Sequence, residues 1–198
     1  MTHGNDRARI VGFAGSARSD SFNKKLVRVA LDACAALGAE TTLVDLRDYA
    51  LPVYDGDLEA AEGLPENAMR LKEILSAHQG FVISAPEYNG SITALLKNSL
   101  DWVSRSPEAS PDLTPYQGKF AAIMAASPSP LGGLRGLRVV REVLTNIGVT
   151  VLADQVALRA AYSAFSEDGR LVEDSNQQHV VRLSKQLVEI LQARVGAS

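Results

Sequence analysis

Ser16, Arg18, Ser21 and Asn23 lie within eight positions that directly follow the apolar run Ile10-Val11-Gly12-Phe13-Ala14. One guanidinium, short hydroxyl and amide side chains and the open amides of a helix start suit a doubly charged phosphate monoester. Arg18 can add charge-assisted, bidentate hydrogen bonds. The competing use is structural: Ser and Asn cap helices, and an arginine is at home on a surface. Capping needs one or two such residues, so their concentration favours an anion-binding turn. The G-x-x-x-x-G-K-[ST] loop is absent, and no lysine is placed for a γ-phosphate. Gly12-Phe13-Ala14-Gly15-Ser16-Ala17 is not G-x-G-x-x-G, although Asp45, near the end of the next apolar segment, could meet a ribose. Asp45 reads better as an ordinary polar strand terminus.

A second loop, Pro86-Glu87-Tyr88-Asn89-Gly90-Ser91, could set amides, carbonyls and an aromatic against a flat heterocycle. Pro86 restricts the chain, Gly90 permits close approach or positive φ, and Asn89 can bond to ring polar atoms. The loop reads equally well as a rigid turn before a helix. Glu87 has no catalytic partner in sequence and is better suited to anchoring backbone than to general acid work. Ser127-Pro128-Ser129-Pro130-Leu131-Gly132-Gly133 forms a third polar exit. Ser127 lacks a G-x-S-x-G elbow, and His3, His78 and His179 form neither H-E-x-x-H nor any other metal-ligand spacing. They belong to surface or helix-packing positions. No catalytic side chain and no metal site is expected.

These loops need elements to position them. Ile10 to Ala14, Thr41 to Leu46, Phe81 to Ser84, Phe120 to Ala126 and Val149 to Ala157 read as strands, short and mostly apolar. Helical periodicity fills the intervals at Ser21 to Leu37, Glu66 to Ala77, after Ser91, at Leu134 to Ile147 and at Asn176 to Val195. Gly38 and Gly148 supply helix stops. Arg47 to Pro65 reads as an ordered excursion, and Ser106 to Tyr116 as a long loop. Strands alternating with helices predict an α/β, three-layer doubly wound fold with parallel strands. In such a sheet all three polar loops emerge at the C-terminal edge, where a ligand crevice forms.

The 198 residues are 46% hydrophobic and 22% charged, with a formal charge of -3, which suits a single soluble domain spanning 1–198 with residues 1–8 loose. No basic run marks a nucleic-acid partner or a membrane surface, and no apolar run reaches membrane-spanning length. The start has no apolar leader, so a cytoplasmic location is expected. Cys34 is the only cysteine and sits in an Ala-rich helical segment, where a small buried hydrophobe is expected rather than a redox nucleophile.

Gly15-Ser16-Ala17-Arg18-Ser19-Asp20-Ser21-Phe22-Asn23 resembles the G-S-x-R-x-x-S-x-N phosphate loop of the NAD(P)H-dependent FMN reductases. Pro86-Glu87-Tyr88-Asn89-Gly90-Ser91 resembles their P-E-Y-N-x-S flavin-ring loop. That family has a flavodoxin-like fold with a five-stranded parallel sheet and includes quinone, azo-dye and chromate reductases. The resemblance implies that Ser16, Arg18, Ser21, Phe22 and Asn23 bind the FMN phosphate end. It places Pro86, Glu87, Tyr88, Asn89 and Gly90 along the isoalloxazine. Ser127 and Pro128 resemble the start of the family's S-P-G-x-x-G-G loop, but Ser129 stands where its earlier glycine would be.

The resemblance further implies hydride transfer from NADPH or NADH to FMN, and then electron transfer to a small-molecule acceptor; both substrates can share one face of the ring in turn, so ping-pong kinetics are expected. The cofactor carries the redox step while the protein orients it. The acceptor classes are quinone, azo compound, flavin and metal oxyanion; the alternative is an electron-transfer or regulatory flavoprotein that oxidises NAD(P)H poorly. A homodimer or homotetramer is implied, with Tyr49 to Leu58 and Trp102 to Tyr116 as places for a second subunit to reach the pocket. Tyr54 and Trp102 are candidates either for that interface or for packing within one chain.

Overall fold

Runs of β-branched and small apolar residues, bounded by glycine and polar turns, pair into a parallel sheet. Its strands are β1 (Arg9–Ala14), β2 (Glu40–Val44), β3 (Gly80–Ser84), β4 (Phe120–Ala126), β5 (Thr150–Val151) and β6 (Val156–Leu158). The computed structural model describes residues 7–195. The order is β2-β1-β3-β4-β5, with β6 also pairing with β4, so the sheet has the five positions of a flavodoxin-like fold. Val11 lies opposite Phe81, and Phe81 opposite Ala121, in a continuous register across the centre.

Successive side chains alternate between the two faces of the sheet. Ile10, Val82, Ala122 and Met124 pack with α1 (Phe22–Ala36) and α6 (Asp174–Val195). Val11, Phe13, Phe81, Ile83 and Ile123 pack with α3 (Glu66–Ala77), α4 (Ala94–Val103) and α5 (Leu134–Asn146). The central strands are therefore covered on both sides, which is why they read as unbroken apolar runs. Cys34 is fully buried, and burial pushes its thiol up to about 11 against a weaker opposing hydrogen bond to Ser184. His78 is also structural, its ring bonded to Ile74 O at 2.6 Å and Thr42 Oγ1 at 2.8 Å.

Two expectations are corrected. The looseness expected of residues 1–8 falls, for 1–6, outside the described residues; Ala8 is fully buried and its carbonyl accepts from the Glu40 amide at 2.9 Å. The single fifth strand is two segments. Val151 pairs with Ala121 and Val156 with Met124, so five steps of chain run beside three steps of β4 and two residues are looped out. The Arg141 guanidinium from α5 fills the gap, donating to Leu152 O at 2.7 Å and Gln155 Oε1 at 2.9 Å.

The excursion after β2 contains a 3-10 turn at Leu46–Asp48 and a short helix, α2 (Gly56–Glu62). Pro52 O accepts from Asn98 Nδ2 and Trp102 Nε1, both at 2.8 Å, and the Tyr54 ring meets Trp102 edge-on at 5.0 Å. Trp102 is fully buried in its own chain, so its use here is internal packing rather than an interface. No helix among the described residues is long and apolar enough to cross a membrane.

Candidate functional site

All strands run parallel, so the segments after β1, β3, β4 and β6 leave the same edge of the sheet. The first is tied down at its start: Gly15 N donates to Ser84 O at 3.0 Å, and Thr93 Oγ1 donates to Gly15 O at 2.7 Å. Ser16 and Ser21 are buried. Ser21 occupies the N-cap of α1 with extended backbone, but its hydroxyl makes no capping bond. The amides of Phe22, Asn23 and Lys24 consequently have no acceptor among the described residues, and neither do those of Ser16, Ala17 and Ser19. Unpaired donors at a helix N-terminus form an electropositive mouth.

Asn23 has a different use. Its Nδ2 donates to Ala126 O at 2.9 Å, while its Oδ1 accepts from Ala126 N at 2.9 Å and from Ser84 Oγ at 2.8 Å. The amide thus joins β4 to β3 as a backbone unit would and holds α1 against the strand ends. Lys24 and Lys25 are drawn into ion pairs with Asp45 and Asp20, each at 2.6 Å. Asp45 also accepts from Arg47 N at 3.0 Å, so both of its oxygens are engaged at the strand terminus. Arg18 remains exposed, with its guanidinium in no ion pair among the described residues.

The second loop is a two-residue hairpin turn. Tyr88 and Ser91 exchange both backbone hydrogen bonds, at 2.9 and 3.0 Å, while Asn89 and Gly90 have φ of 53° and 81°. Asn-Gly is the pair that tolerates two successive positive φ values. Tyr88 stands 54% exposed beside this turn. Glu87 reaches across to α5, where Gly133 at the N-cap has no side chain to offer. Glu87 Oε2 accepts from Arg135 N at 3.0 Å and Gly136 N at 3.2 Å, and Oε1 from Arg135 Nε at 2.6 Å. Burial raises its carboxyl, but the Arg135 guanidinium and the two amides outweigh that and hold it below the ordinary carboxylate range. Glu87 is an ionised cap, not a proton donor.

In the third loop Ser127 N donates to Leu158 O at 3.0 Å, and Ser127 O accepts from Ala161 N at 3.3 Å. These bonds join the exits of β4 and β6. Gly133 has φ of 90°, and a Cβ there would lie 2.6 Å from the Ala125 Cβ, so the loop can turn into α5 only with glycine at this point.

One cleft is lined by Ser16, Arg18, Ser21, Phe22, Asn23, Pro86, Glu87, Tyr88, Ser127 and Pro128. Asn89 and Gly90 do not line it; they form the tip of the hairpin. Ala126 and Tyr162 complete the wall and were not anticipated. Tyr162 follows β6, and the reading of Val149 to Ala157 as one strand concealed a fourth strand exit at this edge. A larger groove of about 830 Å³ between α1 and α6 mixes Lys25, Arg28, Asp32, Glu167 and Arg170, with no buried polar group converging on it. Size alone therefore does not select the site. The cleft at the strand exits combines unpaired amides, two buried hydroxyls and an exposed guanidinium at one end with a rigid proline-bearing loop at the other. That donor set fits an anionic tail followed by a flat ring.

Residues 8–163 match the family model described as NADPH-dependent FMN reductase. An NAD(P)H-dependent FMN reductase of Pseudomonas aeruginosa is 33% identical over 174 residues, covering 87% of this chain and 89% of that protein. A quinone reductase of Escherichia coli is 32% identical over 147 residues, covering 74% of each. Among solved structures, the flavoenzyme NAD(P)H:(acceptor) oxidoreductase FerB of Paracoccus denitrificans superposes with a TM-score of 0.80 at 24% identity. That match covers 94% of this chain and 98% of the other.

Proposed function

The chain belongs to the family of NADPH-dependent FMN reductases, and we propose that its cleft holds FMN and that it is an NAD(P)H-dependent reductase of a small-molecule acceptor. The observation that carries this reading is the run of unpaired amides at the start of α1, in one cleft with Arg18 and the buried Ser16 and Ser21. These groups would hold the phosphate, with Asn23 keeping the helix start in place. Pro86, Glu87 and Tyr88 would line the ring from the second strand exit, with Ser127 and Pro128 on the third. FMN, when bound, supplies the redox chemistry.

The chain's own part is binding and orientation. Amides at the strand exits present fixed dipoles without reorganisation, the arrangement that favours developing negative charge. Glu87 keeps the ring loop and α5 in register, and its ionised carboxylate has no proton to give. A quinone is the acceptor class supported by the Escherichia coli relative's name, and the assembly expected in gel filtration is a homodimer or homotetramer.

The test is a pair of spectra. Purified protein is expected to be yellow and to release FMN on denaturation. Anaerobic NADPH or NADH is expected to bleach the flavin band, with a quinone restoring it. Bound FMN that neither nicotinamide bleaches would make the protein a passive carrier. Failure to bind FMN would remove the reading altogether.

A further inference from the structure

Tyr162 is the one large aromatic at the cleft that no loop motif accounts for. It is 81% exposed, an unusual position for a ring that could have packed inward. Its place is nevertheless fixed. The turn that carries it is held by Ser127 N to Leu158 O at 3.0 Å, Ala161 N to Ser127 O at 3.3 Å and Ser163 N to Ala160 O at 3.0 Å. Ala160 takes φ of 48° within that turn, a conformation that a residue with a Cβ adopts at a cost. Ala161 and Ala164 on either side are buried.

The Tyr162 ring meets Phe22 edge-on, with centroids 5.5 Å apart, and Phe22 is stacked on Phe165 at 6.1 Å with planes 5° apart. Phe22 is the first residue of α1, so this aromatic base sets Tyr162 beside the unpaired amides. The phenol hydroxyl has no hydrogen-bond partner among the described residues. Strained backbone, a stacked support and an unused donor at the rim of an anion-suited mouth do not serve packing.

We infer that Tyr162 closes the open side of the phosphate end of the cleft and donates its hydroxyl to the phosphate of the bound nucleotide, setting how tightly FMN is retained. This rests on the FMN reading above. A phenol donating to an anionic oxygen forms a short, charge-assisted bond. Aromatic wall and donor together would make retention depend on the phosphate rather than on the ring.

The experiment compares FMN with riboflavin, which lacks the phosphate, by fluorescence titration of apo-protein. Tyr162→Phe keeps the ring and removes only the hydroxyl. The expected result is about a tenfold loss of FMN affinity, the usual weight of a hydrogen bond to a charged group, with riboflavin affinity unchanged. Tyr162→Ala should lose more, and neither variant should shift the melting temperature of the apo-protein. Wild-type-like FMN affinity in Tyr162→Phe overturns the inference, and so does an equal loss for both ligands. A change in oligomeric state on Tyr162→Ala with the FMN-to-riboflavin ratio unaltered also overturns it, by assigning the residue to contact between copies. Wild-type protein that binds no FMN would instead defeat the underlying functional reading, so the two failures are distinguishable.

Discussion

Replacing Asn23 by alanine removes a clamp, and the structure sets the size of the effect. Three hydrogen bonds vanish: Nδ2 to Ala126 O at 2.9 Å, Ala126 N to Oδ1 at 2.9 Å and Ser84 Oγ to Oδ1 at 2.8 Å. Ser84 is fully buried and Ala126 nearly so, hence water cannot readily replace the lost partner. At about 1 kcal/mol net per bond, with a further contribution for the orphaned Ala126 amide, the loss is about 3–4 kcal/mol. For a chain of this size that corresponds to a fall of about 10 °C in the melting temperature of the apo-protein. Asn23→Asp sharpens the test. It keeps an acceptor for Ala126 N but sets a carboxylate oxygen against Ala126 O, so it should also be strongly destabilising at neutral pH. Protonation restores a donor, so its deficit relative to wild type should shrink as pH falls. Both variants should weaken FMN binding, because the start of α1 is no longer held at the strand ends. If Asn23→Ala melts within about 2 °C of wild type, a loss of no more than about 1 kcal/mol, yet loses FMN, the side chain is a ligand and not a clamp.

Arg18→Ala is the converse case. With no ion pair to break, it should leave stability within about 0.5 kcal/mol, yet lower FMN affinity tenfold or more and spare riboflavin; unchanged FMN affinity would exclude Arg18 from the phosphate site. Glu87→Ala uncaps α5 and should cost about 1–2 kcal/mol in urea unfolding, whereas Arg135→Ala, which removes only a largely exposed guanidinium, should cost less than about 1 kcal/mol. Equal losses would mean that the ion pair rather than the cap matters. Asp112 is held at about 2, below its ordinary 3.8, chiefly by its hydrogen bond to Lys72 and then by Thr114. A lowered folded-state pKa stabilises above the unfolded value. The pH-dependent part of the stability difference between wild type and Asp112→Asn should therefore be present above pH 3.8 and be lost as pH falls through about 2; a difference that does not change over that range would refute the linkage.

Much of this fold is legible because its signals are local. β4 begins at Phe120 directly after a glycine turn and α3 at Glu66 directly after Pro65, and at both the expected and observed boundaries coincide. The parts that escaped depend on distant partners. α2 spans seven residues, too few for a helical period to show, and its buried member is Glu59, held by the Arg105 guanidinium at 2.9 Å. The break in the fifth strand needs Arg141 to receive the carbonyls it frees, and nothing near Leu152 announces that arginine.

The cleft shows the same division inside a single motif. Both a scaffold and an ionic ligand need short polar side chains at the ends of parallel strands, so the residue types alone cannot separate the two uses. In the first loop Asn23 is consumed by the scaffold, while Arg18 and the α1 amides are left open. In the second, Glu87 lines the cleft but its carboxylate is consumed by α5, and Asn89 is consumed by the hairpin turn, leaving Pro86 and Tyr88 as the lining residues with no such task. Tyr162 escaped for the opposite reason: it is a lone tyrosine in no polar cluster, and only the pairing of β6 with β4 brings its turn beside Ser21 and Phe22. On the proposed reading, an anion would be held by the residues whose donors remain unspent after the strand ends have been joined. That is a property of the folded hydrogen-bond network, which is why substitutions at Asn23 and Arg18, only five positions apart, should fail in opposite ways.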